Sequence, residues 1–227
     1  MADLSNPELF DSIIKKATLK QNVYRKTLSA FNLLKTLTQQ MGKEFLSHPK
    51  PDDPLIVLEF IDKGTFEMEL KFGSDILVFV MHTNVFEFPR DHEVMKTNYV
   101  TDDKERSYCG IILIYNFLAD SFKYNRVNDV GYLIGRIFIN KDEHYYLEGK
   151  REIGLLYNNF ATSKINEQSL LDVVRQAIMY TLNFDLLTPP YDAIKEVSVS
   201  DMQATIDNIS IKTGKRLGFR FQADNER

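Results

Sequence analysis

Apolar positions keep a helical spacing over the first 47 residues, then switch to a two-residue period. Leu9, Phe10, Ile13, Ile14 and Ala17 form one stripe. Tyr24, Leu28, Phe31, Leu34, Leu37 or Thr38, Met41 and Phe45 form a second. Steps of three and four predict a helix over residues 5–47, broken near Thr18–Asn22 into a short helix and a long one. Ser5 or Asn6 is suited to cap it, Pro7 to its first position and Glu8 to its positive end. Three prolines between His48 and Pro54 stop it.

Phe66, Met68, Leu70 and Phe72 then alternate with Glu67, Glu69 and Lys71. This predicts a strand with one buried and one wet face. Leu55–Ile61 before it and Ile76–Phe88 after it are joined through Gly64 and Gly73, so three antiparallel strands are expected over residues 55–88. Pro89–Arg106 reads as a polar surface loop with at most one helical turn. Tyr108–Phe117 is a further strand, and residues 118–131 a polar loop. Tyr132–Ile139 and His144–Ile153 read as a hairpin about Asn140-Lys141-Asp142-Glu143, with Glu148 opposite about Gly135. Adjacent Tyr145 and Tyr146 should face opposite sides of the sheet. Residues 165–184 predict a helix, with Leu170, Leu171, Val174, Ala177, Ile178 and Thr181 on its buried side. A last helix capped by Ser198 or Ser200 and ending at Gly214, then a strand through Leu217, Phe219 and Phe221, complete the pattern. The class is α+β: a mostly antiparallel sheet with N-terminal and C-terminal helices packed on it. The expectation is one domain over residues 1–227, with a helical segment at 1–47, a sheet region at 55–160, and helices with a terminal strand at 165–227.

Composition changes this picture little. Sixteen Phe and 11 Tyr with no Trp suit a pleated, half-buried surface. A formal charge of −4 argues against a protein that coats nucleic acid. Cys109 is the only cysteine, which fits a reducing compartment. The first residues lack the pattern of a secretory signal, and no apolar run reaches the roughly 18 residues of a membrane helix. A cytoplasmic protein without a membrane anchor is expected.

Chemistry-bearing motifs are sparse. The glycines form no phosphate loop and there is no nucleophile elbow. Cys109, beside Gly110, Ile111 and Ile112, reads as a buried and inert thiol. None of the four histidines has metal-helix spacing; His92-Glu93 on a polar loop could join a carboxylate-rich site.

One constellation remains. Glu148-Gly149-Lys150 lies on the second hairpin strand, Asp129 stands before the first, and Gln176 and Tyr180 lie on the following helix. This order resembles the recombination-nuclease branch of the PD-(D/E)XK nuclease superfamily. The resemblance covers residues 129–180. It implies that Asp129 and Glu148 hold Mg²⁺ while Lys150, Gln176 and Tyr180 complete a catalytic centre. Phe138 follows Gly135-Arg136-Ile137, where that branch carries its acid, so Asp129 would have to substitute. Two functional expectations follow. The leading one is a non-catalytic protein that binds a ligand or partner, with no cofactor; the alternative is a divergent or degenerate nuclease, using Mg²⁺. The sequence names no ligand. The long apolar face of the first helices adds an expected homodimer through them.

Overall fold

The computed structural model describes residues 6–127, 129–150, 153, 159–185, 188, 190–200 and 202. The expected last helix beyond residue 202 and the final strand lie outside the described residues.

The chain opens with one helix, α1 (Asn6–Ser47), with no break at Thr18–Asn22. No Pro or Gly interrupts that stretch, and burial of Leu19 within it and Val23 just after it holds it helical. At 1.5 Å per residue its 42 residues reach about 63 Å. The strands follow as β1 (Leu58–Asp62), β2 (Glu67–Phe72), β3 (Asp75–Met81), β4 (Phe86–Glu87), β5 (Tyr108–Leu118), β6 (Tyr132–Asn140) and β7 (Tyr145–Gly149). They form one sheet in the order β1-β2-β3-β5-β6-β7, with every pairing antiparallel. The two-residue β4 pairs with the start of β5, continuing the line of β3. Gly73 turns from β2 into β3 with φ at 54°, where a side chain would be strained.

Strand alternation divides the sheet into two faces. On the inner face Met68, Leu70, Phe79, Ile112, Ile114, Ile137 and Ile139 are fully buried. Phe31, Leu34 and Leu37 of α1 pack there, with Leu170, Val173, Val174 and Ala177 of α4 (Glu167–Leu182). Helix α1 crosses so close to β5 that a Cβ on Gly110 would lie 2.1 Å from the Thr27 hydroxyl oxygen.

The outer face carries a second, smaller core of Phe88, Val94, Val100, Cys109, Ile111, Phe138 and Phe160. This corrects the reading of residues 89–106 as a plain surface loop. That segment holds a 3-10 turn (Glu93–Lys96), helix α2 (Asn98–Asp102) and a second 3-10 turn (Lys104–Ser107). It is pinned at its far end by Lys141, 2.7 Å from both Asp103 and Glu105. Residues 118–131 likewise hold a short helix, α3 (Ala119–Lys123). Glu69, expected on the wet face, is 4% exposed and paired with Lys63 at 3.3 Å. Tyr145 packs on the inner core and Tyr146 on the outer one, as the alternation requires.

Not all of α1 is covered. Leu9, Phe10, Ile13 and Ile14 are 42–62% exposed. The stripe from Tyr24 to Met41, by contrast, packs within its own chain. Among the described residues no helix is long and apolar enough to cross a membrane.

Candidate functional site

The hairpin of β6 and β7 places Arg136 directly opposite Glu148, one residue from the expected Gly135 partner. Side chains opposite one another on a face are within reach. Arg136 Nε donates to Glu148 Oε2 at 2.5 Å. The second carboxylate oxygen, Oε1, lies 3.3 Å from His92 Nε2. His92 caps the 3-10 turn Glu93–Lys96, its Nδ1 accepting from the Val94 amide at 3.3 Å. That bond leaves the ring proton on Nε2, which therefore donates to Glu148. Phe88 fixes the imidazole from one side, with ring centroids 4.7 Å apart, and Tyr146 meets it edge-on at 5.5 Å.

Arg136, Glu148, His92 and Phe88 border a pocket of about 200 Å³ on the outer face. Its apolar wall comes from Phe86, Phe88, Ile111 and Phe138, with Cys109 among them. Phe88 packs on Phe138 at 4.8 Å, and the Arg136 guanidinium sits 5.1 Å from the Phe138 ring centre. Cys109 is 1% exposed, and burial raises its thiol well above the ordinary value, so the sulfur stays protonated.

The residues implied by the nuclease resemblance are distributed differently. Asp129 accepts a 2.6 Å hydrogen bond from Ser121 and lies 3.9 Å from Arg126 Nη1. It borders a separate cavity, formed by Phe117, α3 and the segment after it. That cavity shares no lining residue with the pocket at Glu148. Arg136 to Tyr132 is four strand residues, about 13 Å, and Asp129 lies three residues further along the chain. Lys150 is exposed just past β7. Gln176 and Tyr180 are half-buried on α4, which packs on the inner face beside Leu147. Glu148, the next residue, faces outward, so the sheet stands between it and α4. Among the described residues no group of three or more His, Cys, Asp or Glu side chains could hold a metal ion.

Local sequence reasoning had Glu148 and His92 in view, but not their meeting 56 residues apart. The signal that could have found it was register: Arg136 and Glu148 are equidistant from the middle of the Asp142 turn position. The chain matches no family model, no curated protein and no solved structure.

Proposed function

We propose that this is a non-catalytic binding protein whose ligand occupies the pocket between β4, β5 and β6. The observation that carries this reading is an apolar recess whose rim residues Glu148 and His92 are tied to the protein by hydrogen bonds. Both oxygens of Glu148 already accept hydrogen bonds, both nitrogens of His92 are in use, and the Cys109 thiol is held neutral by burial. These bonds hold Glu148 and His92 as fixed parts of the pocket rim, and a cysteine nucleophile would need a thiolate that the buried Cys109 does not supply. Small-molecule sites, in contrast, are concave, mostly apolar and carry a few placed polar groups. The separation of Asp129 from Glu148 gives metal-dependent cleavage no such support. A single cysteine, which can form no disulfide within the chain, also fits a reducing, cytoplasmic setting.

Indole, flat and uncharged, is a suitable first probe. With isoleucine methyl groups labelled for NMR, millimolar indole should shift Ile111, which lines the pocket. Ile137 and Ile139, on the other face, should stay in place. Equal shifts on both faces, or none at Ile111, would sink the reading.

A second interaction is favoured by a separate observation: the exposed quartet Leu9, Phe10, Ile13 and Ile14. Lys15 turns back to within 3.8 Å of Glu105, and Lys16 lies 3.7 Å from the centre of the Tyr108 ring. The apolar side of this helix end therefore points away from its own chain. A second copy laid antiparallel would bring the quartet onto itself, the self-complementary contact of a twofold dimer. This keeps the homodimer but moves its contact from the Tyr24–Phe45 stripe to the helix start.

A further inference from the structure

Arg136 restricts the chemistry of the ligand, given that the pocket is a ligand site as argued above. Its Nε–H bond to Glu148 is its one hydrogen bond among the described residues. Glu148 engages it through a single oxygen, because the other is directed to His92. The two Nη nitrogens thus have no hydrogen-bond partner among the described residues and stand at the edge of the pocket, on a side chain that is 42% exposed. A guanidinium offers a planar fork of parallel N–H groups, matched in spacing and direction by the two oxygens of a carboxylate. Beside that fork lie the apolar surfaces of Phe88, Phe138 and Ile111.

We propose that the pocket binds a small monocarboxylic acid. Its carboxylate sits on the Nη fork of Arg136, and its apolar body, a single ring or short chain, lies against Phe88 and Phe138. Three features select this class. The pocket volume of about 200 Å³ admits a single ring and excludes a folded-in peptide segment. The walls offer apolar contact to the body of the ligand, so a bare inorganic anion would leave them unfilled. Glu148 beside the fork repels a second negative charge, which disfavours dicarboxylates and phosphate esters. The same repulsion weakens the acid itself, so the affinity is modest and the effect of Glu148 is measurable.

Phenylacetate and its uncharged analogue phenylacetamide are the probes, titrated calorimetrically into the full chain. Phenylacetate should bind at least tenfold more tightly than the amide. Arg136→Lys keeps the charge but removes the fork, and should bring the acid to within about threefold of the amide. Glu148→Gln keeps an acceptor for Arg136 Nε while removing the repelling charge, and should tighten the acid several-fold without changing the amide. A merely structural role for Glu148 would weaken both probes together. Equal binding of acid and amide, or an acid affinity indifferent to Arg136→Lys, overturns the proposal. If indole still shifts Ile111 in that case, the pocket stands as a ligand site of another class. If neither indole nor phenylacetate binds, the underlying binding reading fails with it.

Discussion

Gly110 shows how much one position can decide. It lies on the inner face of β5, directly under Thr27 of α1, which is fully buried. A methyl group there would meet the Thr27 Oγ1 at 2.1 Å and its Cβ at 2.8 Å. The Thr27 hydroxyl cannot swing away cheaply, because it donates to the Val23 carbonyl at 2.9 Å inside a packed turn. Gly110→Ala must therefore push α1 off the sheet. The expected cost is about 1–3 kcal/mol, the usual penalty of overpacking. Denaturant unfolding would measure it. Adding Thr27→Ala should recover part of the loss, since the two residues touch and their effects cannot be independent. A Gly110→Ala protein as stable as the parent would mean that helix and strand are further apart than described.

Elements differ in how plainly the sequence declares them. Met68, Leu70 and Phe72 alternate with charged residues, and β2 is legible from that alone. The hairpin of β6 and β7 is legible from its polar turn, although the register is one residue off. In a strand a slip of one exchanges the faces, so cross-strand partners demand more accuracy than strand existence does. The outer core was hidden for another reason. Val94-Met95 and Tyr99-Val100 are two short apolar pairs in a polar stretch, with no period to reveal them. The continuity of α1 was hidden too, because Thr18, Gln21 and Asn22 resemble a break when nothing shows Leu19 and Val23 buried. The candidate site was legible only in pieces: Glu148 from its motif, but its partners only through pairing and through the fold of residues 89–107. At this scale the exposed start of α1 yields a second prediction. Sedimentation equilibrium at micromolar concentration should give twice the monomer mass of 26.4 kDa. Leu9→Ser with Ile13→Ser should return the monomer with its thermal midpoint little changed, because both side chains are exposed in the single chain and belong to neither core. A parent protein that sediments as a monomer removes the dimer.

For the molecule as a whole, the dependence of stability on pH has two arms with different origins. Burial pushes the Tyr99 hydroxyl up to about 12, with the nearby Asp142 carboxylate adding to the shift against the Asn140 amide. Tyr132 and Tyr145 are raised as well, chiefly by burial. Each favours its neutral form in the fold, so its contribution is complete below about pH 10 and is lost as pH rises through its higher folded value. The acid arm has the opposite sign. Asp103 is held below the ordinary carboxylate value, first by its hydrogen bond from Lys141. Its contribution is present above about pH 4 and is lost as pH falls through the lowered value. Urea unfolding between pH 3 and 12 should show a plateau falling on both sides. Ultraviolet titration of the 11 tyrosines should leave a late fraction still protonated above pH 11. A single tyrosine transition near pH 10 in the folded protein would contradict the burial of these hydroxyls.

The close seat of α1 on β5 also sets an order in time. Thr27 leaves the ribosome 83 residues before Gly110, the position it rests on. At 5–20 residues per second that interval is about 4–17 s. Phe31 waits longer still for Val173 of α4, 142 residues away. Throughout that time the nascent helix presents its apolar side with no sheet to receive it. A holding chaperone, or the matching stripe of a neighbouring nascent chain, could occupy it in the interval. Synthesis is therefore the stage at which this protein is most exposed to misassembly, and slowing translation before β5 should lower its soluble yield more than slowing it afterwards.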